Sequence, residues 1–159
     1  MRFVIDGMLG KLARWLRLLG YDVDYSNNYS DETLIERACQ QRSVLITADE
    51  SLFKTALSRR IESMLIKEGG QPEKIAQVVE RYKLDPKFSP ERSRCPKCGS
   101  TLRAEAKANL EGRVPSKSYQ KYDQFWICSN PGCNKIYWQG SHWDNIQKTL
   151  NTVRNLLRN

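Results

Sequence analysis

Apolar positions change their period several times along the first half of the chain. Phe3-Val4-Ile5 is a continuous apolar run, the pattern of a buried strand, and it ends on Asp6. Met8, Leu9, Leu12, Ala13, Trp15, Leu16 and Leu19 then recur at helical spacing. Lys11, Arg14 and Arg17 fall mostly between them, and Gly20 is placed to stop the helix. Residues 21–25 (YDVDY) alternate with a period of two and predict a short strand. Ser30-Asp31-Glu32 opens a helix that runs through Gln41, with Leu34, Ile35 and Ala38 as its inward face. Residues 43–47 (SVLIT) read as a buried strand ending near Asp49, and residues 50–57 as a helix. A strand follows around residues 64–66. Pro72 then opens a helix facing inward through Ile75, Val78, Val79 and Tyr82.

Short strands alternating with helices imply βαβ units and a parallel sheet. Residues 1–88 are therefore expected to form a small three-layer α/β domain. The stretch DPKFSPERSRCP, residues 85–96, holds three prolines and reads as a linker. Residues 89–159 form the second expected unit. It is rich in cysteines, aromatics and turn residues until a helical rhythm returns over residues 144–157 through Ile146, Leu150, Val153 and Leu157.

Charge sharpens this division. The 159-residue chain carries a formal net charge of +8. Residues 1–88 hold 14 Lys/Arg against 13 Asp/Glu, whereas residues 89–159 hold 12 against 5. A block this basic commonly meets phosphates, although a merely solvated basic surface gives the same count. The apolar start is interrupted by cations, so it reads as neither a secretory leader nor a membrane span, and no other segment is long and apolar enough to cross a bilayer. A soluble, cytoplasmic protein is expected.

Cys95-Pro-Lys-Cys98-Gly and Cys128-Ser-Asn-Pro-Gly-Cys133 form two knuckles. Four thiolates at this spacing suit a structural Zn²⁺, as in a zinc ribbon. Two disulfides are the competing arrangement, disfavoured without a secretory leader and with a fifth cysteine, Cys39, inside a helical pattern. Cys39 is expected to be a small buried residue. Tyr119, Tyr122, Phe125, Trp126, Tyr137, Trp138 and Trp143 are interleaved with Arg113, Lys117, Lys121 and Lys135. Such residues either stack on unpaired bases or fill a small ribbon core, and most are assigned to the core. His142, the only histidine, faces the same choice.

The acids supply the remaining chemistry. In open α/β sheets, sites form beyond the carboxyl ends of parallel strands. Asp6 and Asp49 each end a predicted strand, and Asp31 begins the helix between them. Three converging carboxylates need a cation, and Mg²⁺ or Mn²⁺ with retained water suits phosphodiester hydrolysis. Asp31 and Asp49 have a plainer reading as acids at helix N-termini. Asp6 is harder to explain that way, since an acid closing a buried strand costs stability without a partner. Glu36 is a reserve ligand.

The ordered set FVIDGMLGKLARWLRLLGYDV, SDETL, VLITAD, CPKC, GRVP, YDQFWIC and YWQGSHW resembles the Mut-seven C-terminal RNase domain family over residues 1 to about 146. The resemblance implies a PIN-like nuclease domain with a parallel sheet, followed by a zinc ribbon. It implies RNA as the partner and metal-dependent hydrolysis, with the family's acids falling on Asp6, Asp31 and Asp49 and a hydroxyl on Thr47. It also draws Arg14 and Arg17 toward phosphate. Ala48 stands where a basic residue is frequent, and no fourth acid is obvious after Asp49. The resulting expectation is a ribonuclease, as an endonuclease. A catalytically inactive RNA- or DNA-binding module is the alternative.

Overall fold

Strand β1 (Arg2–Ile5) lies inside a four-stranded sheet of order β2-β1-β3-β4, and every pairing is parallel. The other strands are β2 (Asp22–Tyr25), β3 (Val44–Thr47) and β4 (Ser63–Leu65). The computed structural model describes all 159 residues. A 3₁₀ turn (Gly7–Leu9) and α1 (Gly10–Leu18) join β1 to β2, α2 (Asp31–Gln41) joins β2 to β3, and α3 (Glu50–Ser58) joins β3 to β4. Helix α4 (Gln71–Tyr82) follows.

The unbroken apolar runs are explained by burial on both faces. Phe3, Ile5, Val44 and Ile46 pack into one core with Leu12 and Leu16 of α1 and Ile75, Val78 and Val79 of α4. Val4 and Leu45 point the other way, into a second core with Leu34, Ile35 and Ala38 of α2 and Leu52 and Ala56 of α3. The result is a helix–sheet–helix sandwich.

The second half builds an antiparallel sheet of order β5-β6-β7 from β5 (Leu102–Glu105), β6 (Phe125–Cys128) and β7 (Ile136–Trp138), with a short α5 (Ser116–Lys121). Its own core is small: Leu110, Val114 and Phe125, with Tyr119, Tyr122, Ile136 and Trp138 packed around them. Phe125 fills this core as expected, while Tyr119, Tyr122 and Trp138 pack against it and stay half-buried, with part of each ring still accessible. The last helix, α6 (Ser141–Arg158), leaves the ribbon and returns Leu150 and Val153 to the first core beside α4.

Three local expectations change. Helix α1 starts at Gly10, because Leu9 N–H donates to Asp6 C=O (2.9 Å) and closes a 3₁₀ turn that leaves Met8 81% exposed. Cys39 is exposed, since it follows Ala38, and one helical step of about 100° carries it away from the core. Residues 85–96 are also no loose linker. Tyr21 Oη accepts from Asp85 N–H, Arg92 Nη2 donates to Leu19 C=O, and Phe88 packs edge-on against Trp143. Gly20 sits at φ +96°, where a Cβ would lie 2.7 Å from Arg92 O, so only glycine admits this close return.

Asp24 on β2 accepts hydrogen bonds from Arg37 and Gln41 of α2 and from Tyr29. Burial pushes this carboxyl up, but those three donors outweigh it and hold it below its ordinary value. A depressed carboxyl contributes stability above its unfolded pKa and loses it as pH falls through the folded one. Asp24→Asn is therefore expected to cost about 1 kcal/mol at pH 7. In melting curves recorded across pH, the gap from the unaltered protein should close below about pH 4, the ordinary Asp range.

Candidate active site

Beyond the carboxyl ends of β1 and β3 the chain turns to opposite faces of the sheet. The segment after β1 enters α1 on one side, while the segment after β3 enters α3 on the other. This is the topological switch point, where an open α/β sheet leaves a crevice between neighbouring strand ends. Asp6 and Asp49 flank it.

Asp6 continues the ladder of β1, its N–H donating to Ile46 C=O (3.0 Å), so its position is set by the sheet. Thr47 is fully buried at the end of β3, and its Oγ1 donates to Asp6 Oδ2 at 2.8 Å. The same oxygen accepts from Asp49 N–H at 3.0 Å. One hydroxyl thus joins both acidic positions. Asp49 caps α3, with Oδ1 accepting from Ser51 N–H (2.8 Å) and Leu52 N–H (3.2 Å). The plainer reading of Asp49 is therefore correct for one oxygen. Oδ2 of Asp49 and Oδ1 of Asp6 make no protein hydrogen bond.

Asp31 is the first residue of α2 and is exposed; Ser30, not Asp31, caps that helix through Thr33 N–H. It stands beyond the carboxyl end of β2, on the same sheet edge, because the strands are parallel. The loop preceding it leans on the turn after β1. Tyr25 Oη donates to Gly7 C=O (2.7 Å), and a Cβ on Gly7 would lie 3.2 Å from Asn27 Cα. Asp31 makes no hydrogen bond to Asp6 or Asp49. The three carboxylates line an open edge and do not gather within 4.8 Å, a closeness that only the four cysteines reach. Glu36 is exposed on α2, and Glu32 pairs with Arg59. None of Asp6, Asp31 or Asp49 has a Lys or Arg partner within 4 Å.

The expected cations divide. Arg14 is exposed on α1, Arg113 and Lys117 are exposed beside and on α5, and Lys121 lies 5.4 Å over the Tyr122 ring. Arg17 is 5% exposed and fully engaged: Nε and Nη2 donate to Val23 C=O, and Nη1 donates to Pro96 and Lys97 C=O. Burial lowers its pKa, partly offset by the sulfurs of Cys98 and Cys95. Arg17 therefore pins the first cysteine knuckle to β2 and is closed to phosphate. Gly99, at φ +84°, admits its guanidinium, since a Cβ there would approach Nε to 2.9 Å. Arg17→Ala is expected to cost about 2–3 kcal/mol by leaving the buried Val23 carbonyl unpaired and releasing the partly buried carbonyls of Pro96 and Lys97. Thermal melting and metal content together would register the loss.

The four cysteine sulfurs converge from the two knuckles. Cys95 and Cys133 Sγ are 3.8 Å apart, and Cys98 and Cys128 Sγ 3.4 Å. Tetrahedral Zn–S bonds of about 2.3 Å put sulfurs about 3.8 Å apart, so the set fits one metal ion such as zinc. Tyr137 Oη lies 3.0 Å from Cys95 Sγ and can donate to it. Burial raises Cys98, but hydrogen bonds from Ser100 overcome this and bring it down to about 6. Burial and the neighbouring sulfurs push Cys128 up to about 12. Four thiols this close resist ionising together, so a cation bound among them stabilises the cluster. The Tyr137 hydroxyl and the Arg17 anchor beneath the knuckle carry no spacing signal in the sequence.

No helix is long and apolar enough to cross a membrane. No curated protein and no solved structure matches the chain. The profile of the Mut7-C RNAse domain matches residues 1–150. That match spans nearly the whole chain, and the chain belongs to the Mut7-C RNAse domain family.

Proposed function

We propose that this protein hydrolyses RNA phosphodiester bonds with a divalent ion at the Asp6–Asp49 crevice, and that it cuts internally. The observation carrying this reading is the Asp6–Thr47–Asp49 connection at the switch point, in a chain of an RNase domain family. The donor set fits Mg²⁺ or Mn²⁺. Carboxylate oxygens free of protein partners line an open edge, which suits an ion that keeps several waters and takes one or two carboxylates plus substrate phosphate. When bound, such an ion supplies Lewis acidity and a water of lowered pKa.

The chain's own residues do the rest. Asp6 and Asp49, with Asp31 from the start of α2, would hold the ion. Thr47 keeps the Asp6 carboxylate oriented, because its single proton is directed at Oδ2. Arg14, Arg113, Lys117 and Lys121 neutralise the backbone of the bound strand. Zinc in the four cysteines is structural, since four thiolates leave no open position. We assign residues 1–88 to the nuclease domain and residues 89–159 to the ribbon and last helix.

A second reading, nucleic-acid binding without hydrolysis, is favoured by one fact: Asp49 already uses one oxygen to cap α3. Labelled structured and unstructured RNAs incubated with Mn²⁺, with Mg²⁺ and without divalent ion separate the two. Internal products should form only with the ion. Binding without any product supports the second reading.

A further inference from the structure

A groove of about 840 Å³ opens between α1, the ribbon and α6, where Trp15, Phe88 and Ile146 separate it from the first core. Its volume lies within the about 300–1,000 Å³ usual for ligand sites. On α1 it is lined by Lys11, Arg14, Trp15 and Leu18. Their spacing of three, four and seven residues is a helical stripe of its own, distinct from the stripe Leu12, Ala13 and Leu16 that fills the core. The opposite walls come from β7 and the first turns of α6, with Tyr137, Trp138, His142 and Trp143.

Two features of the lining point the same way. It contains no Asp or Glu. Lys11, Arg14 and Lys135, which it does contain, have no acidic partner within 4 Å. Lys11 also stands in the first turn of α1, where the helix dipole disfavours a cation. Half-buried aromatic side chains lie among these charges: Trp15, Tyr122, Trp138 and Trp143, with Lys135 Nζ 5.6 Å from the Tyr137 ring centre. Unpaired cations beside half-buried aromatic side chains suit the phosphates and bases of a single strand.

We infer that this groove binds single-stranded RNA, stacking unpaired bases on its tryptophans and tyrosines while Lys11, Arg14 and Lys135 hold the phosphates. The inference rests on the RNA-hydrolysis reading above and adds where the strand lies and which form of RNA is taken. Bases in a duplex are stacked on one another and cannot reach these rings. The path leads to the chemistry. From Leu18 to Lys11 the stripe climbs α1 by about 10 Å toward the turn that follows Asp6.

The test is fluorescence anisotropy with the zinc-loaded full chain and no Mg²⁺ or Mn²⁺, so that binding is read apart from cleavage. The probes are a labelled unstructured 12-nucleotide RNA, the same strand in a duplex, and an abasic strand of equal length. The single strand should bind at least tenfold more tightly than the duplex or the abasic strand, and should quench tryptophan fluorescence. Lys11→Glu with Lys135→Glu should weaken it at least tenfold. Losing two phosphate contacts should also flatten the log Kd against log salt slope by about 1.4. Both substitutions are at exposed positions, and circular dichroism and zinc content check that the variant is folded.

Unchanged binding by the folded variant, equal binding of the abasic strand, or displacement by poly-glutamate as effective as by RNA would each overturn the groove. The two readings fail separately. A wild-type chain that binds single strands through these residues but never cleaves sinks hydrolysis and keeps the groove. A variant that cleaves and binds as the wild type does sinks the groove and keeps hydrolysis.

Discussion

Replacing Asp6 by Asn is expected to lower Mn²⁺-dependent RNA cleavage by about a thousandfold, equivalent to about 4 kcal/mol of transition-state stabilisation. The fold should not suffer. Asn keeps the shape and an oxygen that accepts from Thr47 Oγ1, and Asp6 has no cationic partner to lose. Its melting temperature, taken without divalent ion, should be unchanged or slightly higher, as when a site acid is removed from an uncompensated position. Thr47→Val tests the connection: it keeps the buried shape but removes the donor to Asp6, and a loss of about 10–100-fold is expected, the range for residues that orient metal ligands. Equal cleavage by wild type and Asp6→Asn, prepared in parallel, would trace the activity to a contaminant and defeat the assignment.

The second large effect concerns zinc. One equivalent per chain is expected by elemental analysis, and its removal by a strong chelator should unfold the ribbon. The ribbon's own apolar cluster has only three buried members, Leu110, Val114 and Phe125, so a bound metal would contribute much of its stability. Binding free energies of about 10–16 kcal/mol are typical where such sites are coupled to folding. Damage should spread beyond the ribbon, because Arg17 is anchored on the Cys95–Cys98 knuckle and α6 enters the first core from the ribbon's end. Thiol titration reads this directly. Of five cysteines, Cys39 alone should react quickly in the native protein, and all five after chelation. Two disulfides and no metal in freshly purified protein would refute the site.

Local pattern carried much of the architecture. Each of the first four strands and four helices was legible, because apolar runs and helical stripes are properties of neighbouring residues. The cysteine knuckles were legible for a related reason, since thiolates two to four residues apart can turn toward one ion. The strands of the ribbon were not predicted. Its core is too small and aromatic to impose a period on short segments such as β7 (Ile136–Trp138).

Arg17 illustrates where such reading ends. In sequence it is one more cation between apolar positions of α1, like Arg14. Only packing distinguishes them, by setting the first knuckle's carbonyls over one and leaving the other at a groove. The same holds for Thr47, whose bond to Asp6 spans 41 positions.

By itself, then, the sequence determined the parallel α/β order, the acids at strand ends and the four cysteines able to hold a metal ion, all of which follow from residue type and short spacing. Tertiary structure alone decided that Asp6 and Asp49 meet through Thr47, that Arg17 is buried, and that α1, α6 and the ribbon enclose one groove. Those facts depend on strand order and on how separate elements pack, which contacts between distant residues set and neighbouring residues do not encode.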